Sequence, residues 1–251
     1  MSQSELRILM RKEWKQLLRS RAAMATSLLL PVLFFLVIPG SQMLALKAAP
    51  GKVMKMPDPN VRLPPGMEAF AHDPAAMLRF MLPLMMTLGG LIVPSVAATY
   101  TIISERETRT LELLVALPVR VTQVLAAKLL VITQMALIVT GSLFLVDAVA
   151  LLVLKLASFW YVVALALVLV GALAYSTAAA LLISLIGKDY RTANNVNGAL
   201  IVPTIMLTMA ILMLVRGEIF HTVLLAVTLM GCAALGTWVA MKVITFERLL
   251  R

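Results

Sequence analysis

The chain has 251 residues, 61% of them hydrophobic and only 14% charged, with a formal charge of +10. Water-soluble domains carry nearer a quarter charged residues, so a soluble globular fold is excluded for most of the chain and the expected solvent is lipid. The basic residues stand at the ends of apolar runs rather than in a patch, a membrane pattern and not that of a nucleic-acid binder.

Crossing a hydrocarbon layer about 30 Å thick takes roughly 20 apolar residues in a helix. Ahead of the first such run, residues 5–21 alternate at helical period. Leu6, Leu9, Met10, Trp14, Leu17 and Leu18 share one face, and Arg7, Arg11, Lys12, Lys15 and Arg19 the other. This predicts an amphipathic helix lying in the headgroup plane, apolar side toward the acyl chains. The first span is expected over 22–46, too long without charge for a signal-peptide core, with Pro39-Gly40 marking its outer end.

Residues 47–79 read as an extracytoplasmic loop, with five prolines between 47 and 70. Asp73-Pro74 has the form of an N-cap followed by proline at the first helical position. The second span is expected over 80–104, kinked at Pro83 and Pro94, each of which removes a backbone bond. His72 and Asp73 are too few to make a metal site.

The next segment, SERETRTLELLVALPVR over 104–120, places five charges in eight residues between two lipid-soluble runs. Ser104 with Glu107 matches a capping box, Glu105 and Arg109 pair at i, i+4, and Pro118 disfavours helix at the residue before it. Leu111, Leu114 and Val115 form an apolar stripe. The pattern predicts a short amphipathic helix over 105–117, about 18 Å long at 1.5 Å per residue. A solvated linker needs neither cap, stop nor stripe, whereas a protein partner would grip all three.

The third span is expected over 121–146, with Lys128 snorkelling to the headgroups and Asp147 at the outer end. The fourth covers 158–187. Trp160 and Tyr161 fit an outer aromatic belt, and GALAYSTAAALL offers small residues for close helix approach. Spans over 192–215 and 219–241 follow, with His221 at the outer start of the last and small residues over 231–236. Cys232 is the only cysteine, which rules out a disulfide within the chain. Trp238 fits the inner belt. With both termini inside, cytoplasmic segments hold 15 Lys or Arg and outer ones 7, the positive-inside arrangement.

No ATP site is present. Gly187-Lys188 lacks the earlier glycine of a phosphate loop (Leu182 stands there), and Asp189 replaces the hydroxyl residue. None of the apolar runs contains an acidic residue, which speaks against an ion-driven carrier. Nor do they hold the nucleophile–base pair or metal cluster of an intramembrane enzyme. Thr99, Tyr100, Thr101, Gln134, Tyr175, Asn194, Asn197 and Thr204 are candidate pathway residues, with interhelical bonding as the alternative role. Seventeen methionines suit a pliable apolar wall.

The stretch ERETRTLELLVALPVRVTQVLAAKLL resembles the signature of type-2 permease subunits of ATP-binding-cassette (ABC) transporters. Glu105, Arg106, Glu107, Thr110, Glu112, Leu113, Leu114, Pro118 and Lys128 match its positions, and Ala127 departs from a common glycine. The resemblance implies an all-α membrane protein of six transmembrane helices with an N-terminal elbow helix and a cytoplasmic coupling helix between spans 2 and 3. The coupling residues would be Glu105, Arg106, Glu107, Arg109, Thr110, Glu112, Leu113, Leu114 and Pro118. Lys188, Asp189 and Arg191 form either a second contact or a basic anchor at the membrane edge.

The implied partners are two ABC ATPase subunits, which hold ATP and magnesium, a second permease copy or homologue, and membrane lipids. The implied place is a bacterial inner membrane, both termini cytoplasmic. Many family members carry half-helices between the last two spans. Arg216-Gly217-Glu218 leaves no room for them, so that outer gate is not carried over, and the loop over 47–70 is a candidate for its place. The expected function is export of amphipathic, lipid-like or drug-like cargo. A sodium exporter, and an anchor or sensor without cargo, are the alternatives.

Overall fold

The computed structural model describes residues 10–12, 14–15, 21–48, 64, 73, 75–98, 121–186 and 190–243. Among them the backbone is almost wholly helical and forms no strand. The first long helix, α1, runs unbroken as an α segment Arg21–Val32, a π turn Leu33–Val37 and an α segment Ile38–Ala48. The others are α2 (Ala76–Ala98), α3 (Val121–Val153), α4 (Phe159–Ile186), α5 (Tyr190–Leu214) and α6 (Glu218–Val243). Five stretches are long and apolar enough to cross a membrane: Ser27–Ala48, Ala76–Ala98, Ala127–Val153, Phe159–Ala180 and Glu218–Ala240. The apolar part of α5 is the shorter Gly198–Leu214, because its first turns carry Tyr190, Arg191 and three asparagines. The protein is an all-α membrane protein.

Pro39-Gly40 does not end the first helix, contrary to the sequence expectation. The Ile38 N–H reaches back five residues to the Leu33 carbonyl, so the helix has already shifted register where Pro39 supplies no donor. It then continues to Ala48. The first turn of α2 forms as its sequence predicts. The Asp73 carboxylate accepts the Ala75 N–H at 2.8 Å and its carbonyl accepts the Ala76 N–H at 3.0 Å, satisfying donors that a helix start leaves free.

At its far end α3 outruns the expected boundary and closes at Val153 in a Schellman turn. Lys155 takes φ 54°, its N–H bonds Leu152, and the Leu156 N–H bonds Leu151 at 3.0 Å. Leu156 packs on the core that contains Leu151, the apolar contact that usually accompanies this motif.

Small residues decide the packing. Both α2 and α6 lie against α4 and barely meet each other. A Cβ on Gly90 would stand 2.7 Å from the Ala172 Cβ, and one on Gly171 3.1 Å from the Ala226 carbonyl and 3.2 Å from Leu229. On the other side of α2, the Phe35 ring of α1 fills the space over Gly89. Close approach of this kind replaces the hydrophobic drive that lipid does not supply. Gly236 packs on Ala178, but Gly231 faces open space and takes no part, against expectation.

Gly90→Ala is therefore expected to destabilise the bundle by about 1–3 kcal/mol through overpacking. Gly231→Ala should be neutral or stabilise by up to about 1 kcal/mol through helix propensity. Unfolding of the two variants in detergent checks the contrast.

Candidate functional site

One end of the bundle gathers the start of α2, the α3–α4 turn, the start of α4 and the start of α6; we call it the distal end. Its polar centre is Arg79, in the first turn of α2, whose side chain is 14% exposed. The guanidinium uses its whole fork. Nε donates to Glu218 Oε2 at 2.6 Å, Nη1 to the Leu156 carbonyl at 2.9 Å, and Nη2 to Asp73 Oδ2.

A fourth tie comes from the backbone. Pro83 has no N–H, so the Arg79 carbonyl four residues earlier loses its helical donor. The Tyr161 hydroxyl of α4 donates to that carbonyl instead. One residue thus joins α2, α4, α6 and the α3–α4 turn. Tyr161 is 1% exposed, which corrects its expected place in an aromatic belt: the freed carbonyl draws it inward. Phe159 and Trp160 stay exposed and stack edge to face at 5.8 Å.

None of these hub residues stood among the sequence candidates. A signal existed: an arginine four residues before a helical proline presents both a charge and an orphan carbonyl. Partial burial works against ionised Asp73, but the hydrogen bonds from Arg79 and the Ala75 N–H outweigh it and hold the carboxyl below its ordinary value.

Two further titratable groups differ from expectation. Asp147 lies within α3, not beyond its end, and His221 lies in the first turn of α6. Each is almost fully buried, at 2% and 1% exposed, rather than interfacial. The extension of α3 to Val153 puts Asp147 among core residues, where its Oδ2 has no hydrogen-bond partner among the described residues. The bundle therefore does hold a carboxylate within a span.

Of the expected pathway residues, the structure brings Tyr175 and Thr204 together: the Thr204 hydroxyl donates to Tyr175 Oη at 3.2 Å. Gln134 is exposed on α3. Thr99, Tyr100 and Thr101 lie outside the described residues, as do the side chains of Asn194 and Asn197. Deeper in the bundle Ser95 and Ser176 both donate to the Leu91 carbonyl at 2.7 Å, and Thr133 meets Thr177 at 3.1 Å. These hydroxyls tie α2 and α3 to α4 as neutral interhelical bonds.

At the opposite, proximal end, Ala97 and Ala98 of α2, Val131, Ile132 and Met135 of α3, and Ala180 of α4 form one cluster. Met10 and Trp14 of the N-terminal segment pack against it. Their face thus meets protein as well as the lipid expected for it, while Arg11, Lys12 and Lys15 are exposed. Lys128 is 2% exposed, so it does not snorkel outward; its helix is embedded here among neighbours. Trp238, expected at the inner belt, is exposed, with Lys242 Nζ 3.8 Å from its ring centroid. Glu105, Arg106, Glu107, Arg109, Thr110, Glu112, Leu113, Leu114 and Pro118 lie outside the described residues, as do Lys188 and Asp189 and the Arg191 side chain.

Arg79→Ala would leave Glu218 and the Leu156 carbonyl without their donor and is expected to cost about 3 kcal/mol, read as a lower unfolding midpoint in detergent. Asp73 has a depressed folded pKa. Its contribution is complete above about pH 4, the unfolded value, and is lost as pH falls through the lower folded value. Asp73→Asn should remove that acid-side loss of stability in a pH series.

The family described as ABC-2 family transporter protein matches residues 41–230, from the second half of α1 into α6 and across the whole charged segment. No curated protein matches the chain. A match over 190 of 251 residues, on an all-helical multi-span bundle, decides the class. The chain belongs to the ABC-2 family of transporter proteins, as a multi-pass membrane permease subunit that works with an ABC ATPase.

Proposed function

We propose that this permease exports cargo from the cytoplasm of a bacterium across its inner membrane, with residues 105–117 as the coupling helix. The working unit is two permease chains, this one with a second copy or a homologue, on two ATPase subunits that hold ATP and magnesium. Both termini face the cytoplasm. One observation carries the reading. The 22 residues of 99–120 join the end of α2 to the start of α3. Ala97 and Ala98, just before them, meet Val131, Ile132 and Met135, about three turns into α3, in one cluster beside Met10 and Trp14. A helix held between two packed spans passes a push from a partner to both at once, and its charges set register against that partner.

Neutral hydroxyls such as Tyr175 and Thr204, set in an apolar wall, suit amphipathic, lipid-like or drug-like cargo. A second reading, sodium export, draws support from buried Asp147, since a carboxylate within a span whose Oδ2 has no partner among the described residues offers a ligand to a cation. Asp147→Asn would abolish sodium movement in the second case and spare amphiphile movement in the first.

Glu107→Ala combined with Glu112→Ala is expected to weaken ATPase co-purification by at least about tenfold and leave membrane insertion unchanged. Unchanged co-purification and unchanged ATP-driven transport in vesicles would remove the docking role.

A further inference from the structure

We propose that the seam between α2 and α5 is a thioether site for a soft monovalent cation, with the chemistry of Cu(I) or Ag(I), formed by Met81, Met85, Met209 and Met213. The site goes beyond the export reading and does not depend on it.

Helical spacing builds the site. Met81 and Met85 stand four residues apart on α2, and Met209 and Met213 four apart on α5, so each pair lies on one face over a single turn. The helices run in opposite directions, α2 away from the distal end and α5 toward it. All four side chains pack, partly buried, on one small core of Phe80, Leu84 and Leu212. Two thioethers from each helix therefore share one level of the seam.

Residue choice sets this seam apart. Together α3 and α4 span 33 and 28 residues and hold Met135 alone. The shorter α2 and α5, of 23 and 25 residues, hold seven methionines. Apolar packing elsewhere in the bundle is thus achieved with leucine, valine and alanine. Methionine adds two properties that leucine lacks. Its sulphur carries a soft lone pair, and its three rotatable bonds let side chains from two helices turn toward one centre. Thioethers are neutral, lose no proton on binding, and select Cu(I) over ions that prefer oxygen or imidazole. Partial burial suits the task as well. An ion can reach the sulphurs from the surface of the bundle, with no helix displaced, and is then largely shielded from competing water.

The test uses the full chain in detergent, with Cys232→Ala in every form so that no thiolate competes. Cu(I) is offered in competition with bicinchoninate, a chromophoric Cu(I) chelator. The parent is expected to retain about one Cu(I) per chain, with sulphur neighbours in the copper X-ray absorption spectrum. Met81→Leu with Met209→Leu, and Met85→Leu with Met213→Leu, nearly conserve volume and so keep the fold. Each pair should weaken Cu(I) binding at least about tenfold. Met206→Leu, at a residue of α5 that is 68% exposed and outside that core, should bind as the parent does. Parent affinity in the form with all four methionines replaced would place the ion elsewhere, for example on Met54 and Met56, and would overturn the site. So would a parent that unfolds normally yet retains no copper.

Discussion

Inside a lipid-facing bundle a backbone carbonyl that loses its donor cannot turn to water and must find a donor in the protein. Prolines create such carbonyls, and this chain carries Pro31, Pro39, Pro83, Pro94 and Pro203 within its long helices. The way each is absorbed shapes the fold. At Pro39 the helix itself adjusts through a π turn. At Pro83 a side chain from another helix supplies the bond, and that side chain, Tyr161, fixes how α4 meets α2. The same contact holds the backbone of Arg79 in place, so its guanidinium faces α6 and the α3–α4 turn with little freedom left to lose. The charged hub is thus a consequence of one missing backbone donor.

The α3–α4 turn has to cooperate. Arg79 reaches the Leu156 carbonyl only because α3 ends in a left-handed residue at Lys155. A lysine there is conformationally costly compared with glycine, yet the Schellman bonds and the apolar seat of Leu156 on Leu151 hold it. Backbone geometry at a helix end and ion pairing between distant helices are therefore one arrangement.

Much of this was legible in the sequence, where local rules dominate. Apolar runs located the helices, and Asp73-Pro74 announced the start of α2 because capping depends only on neighbouring residues. Expectations failed where a distant helix supplied the deciding contact. Tyr161 looks like a belt residue until the orphan carbonyl of Arg79 is placed beside it. Lys128 looks free to snorkel in the sequence, yet the folded chain leaves it 2% exposed. Asp147 looks terminal because charge was taken to end a span, whereas α3 buries it and runs on for another six residues to Val153. Gly90 and Gly231 are equally small in sequence, and only packing tells that one is a contact and the other faces open space. The charged segment over 105–117 rests on pattern and resemblance, and its partner groove belongs to another protein.

The two ends of α2 are held by different physics, and this bears on how a push would travel. Near its start Arg79 is fixed by charged and polar bonds; at its end Ala97 and Ala98 pack into an apolar cluster with α3 and α4. Between them lie about 28 Å of helix, with Pro83 and Pro94 each removing one backbone bond close to an end. The middle is pressed against α1 by Phe35 over Gly89 and against α4 by Ala172 beneath Gly90, and packed interiors deform little. A centre packed in this way resists bending more than the proline sites do. The distal end of the helix is where the Arg79 fork grips Glu218, a bond whose strength falls steeply with angle and distance. A packed centre between two proline sites thus joins an apolar cluster at one end of α2 to a directional polar hub at the other.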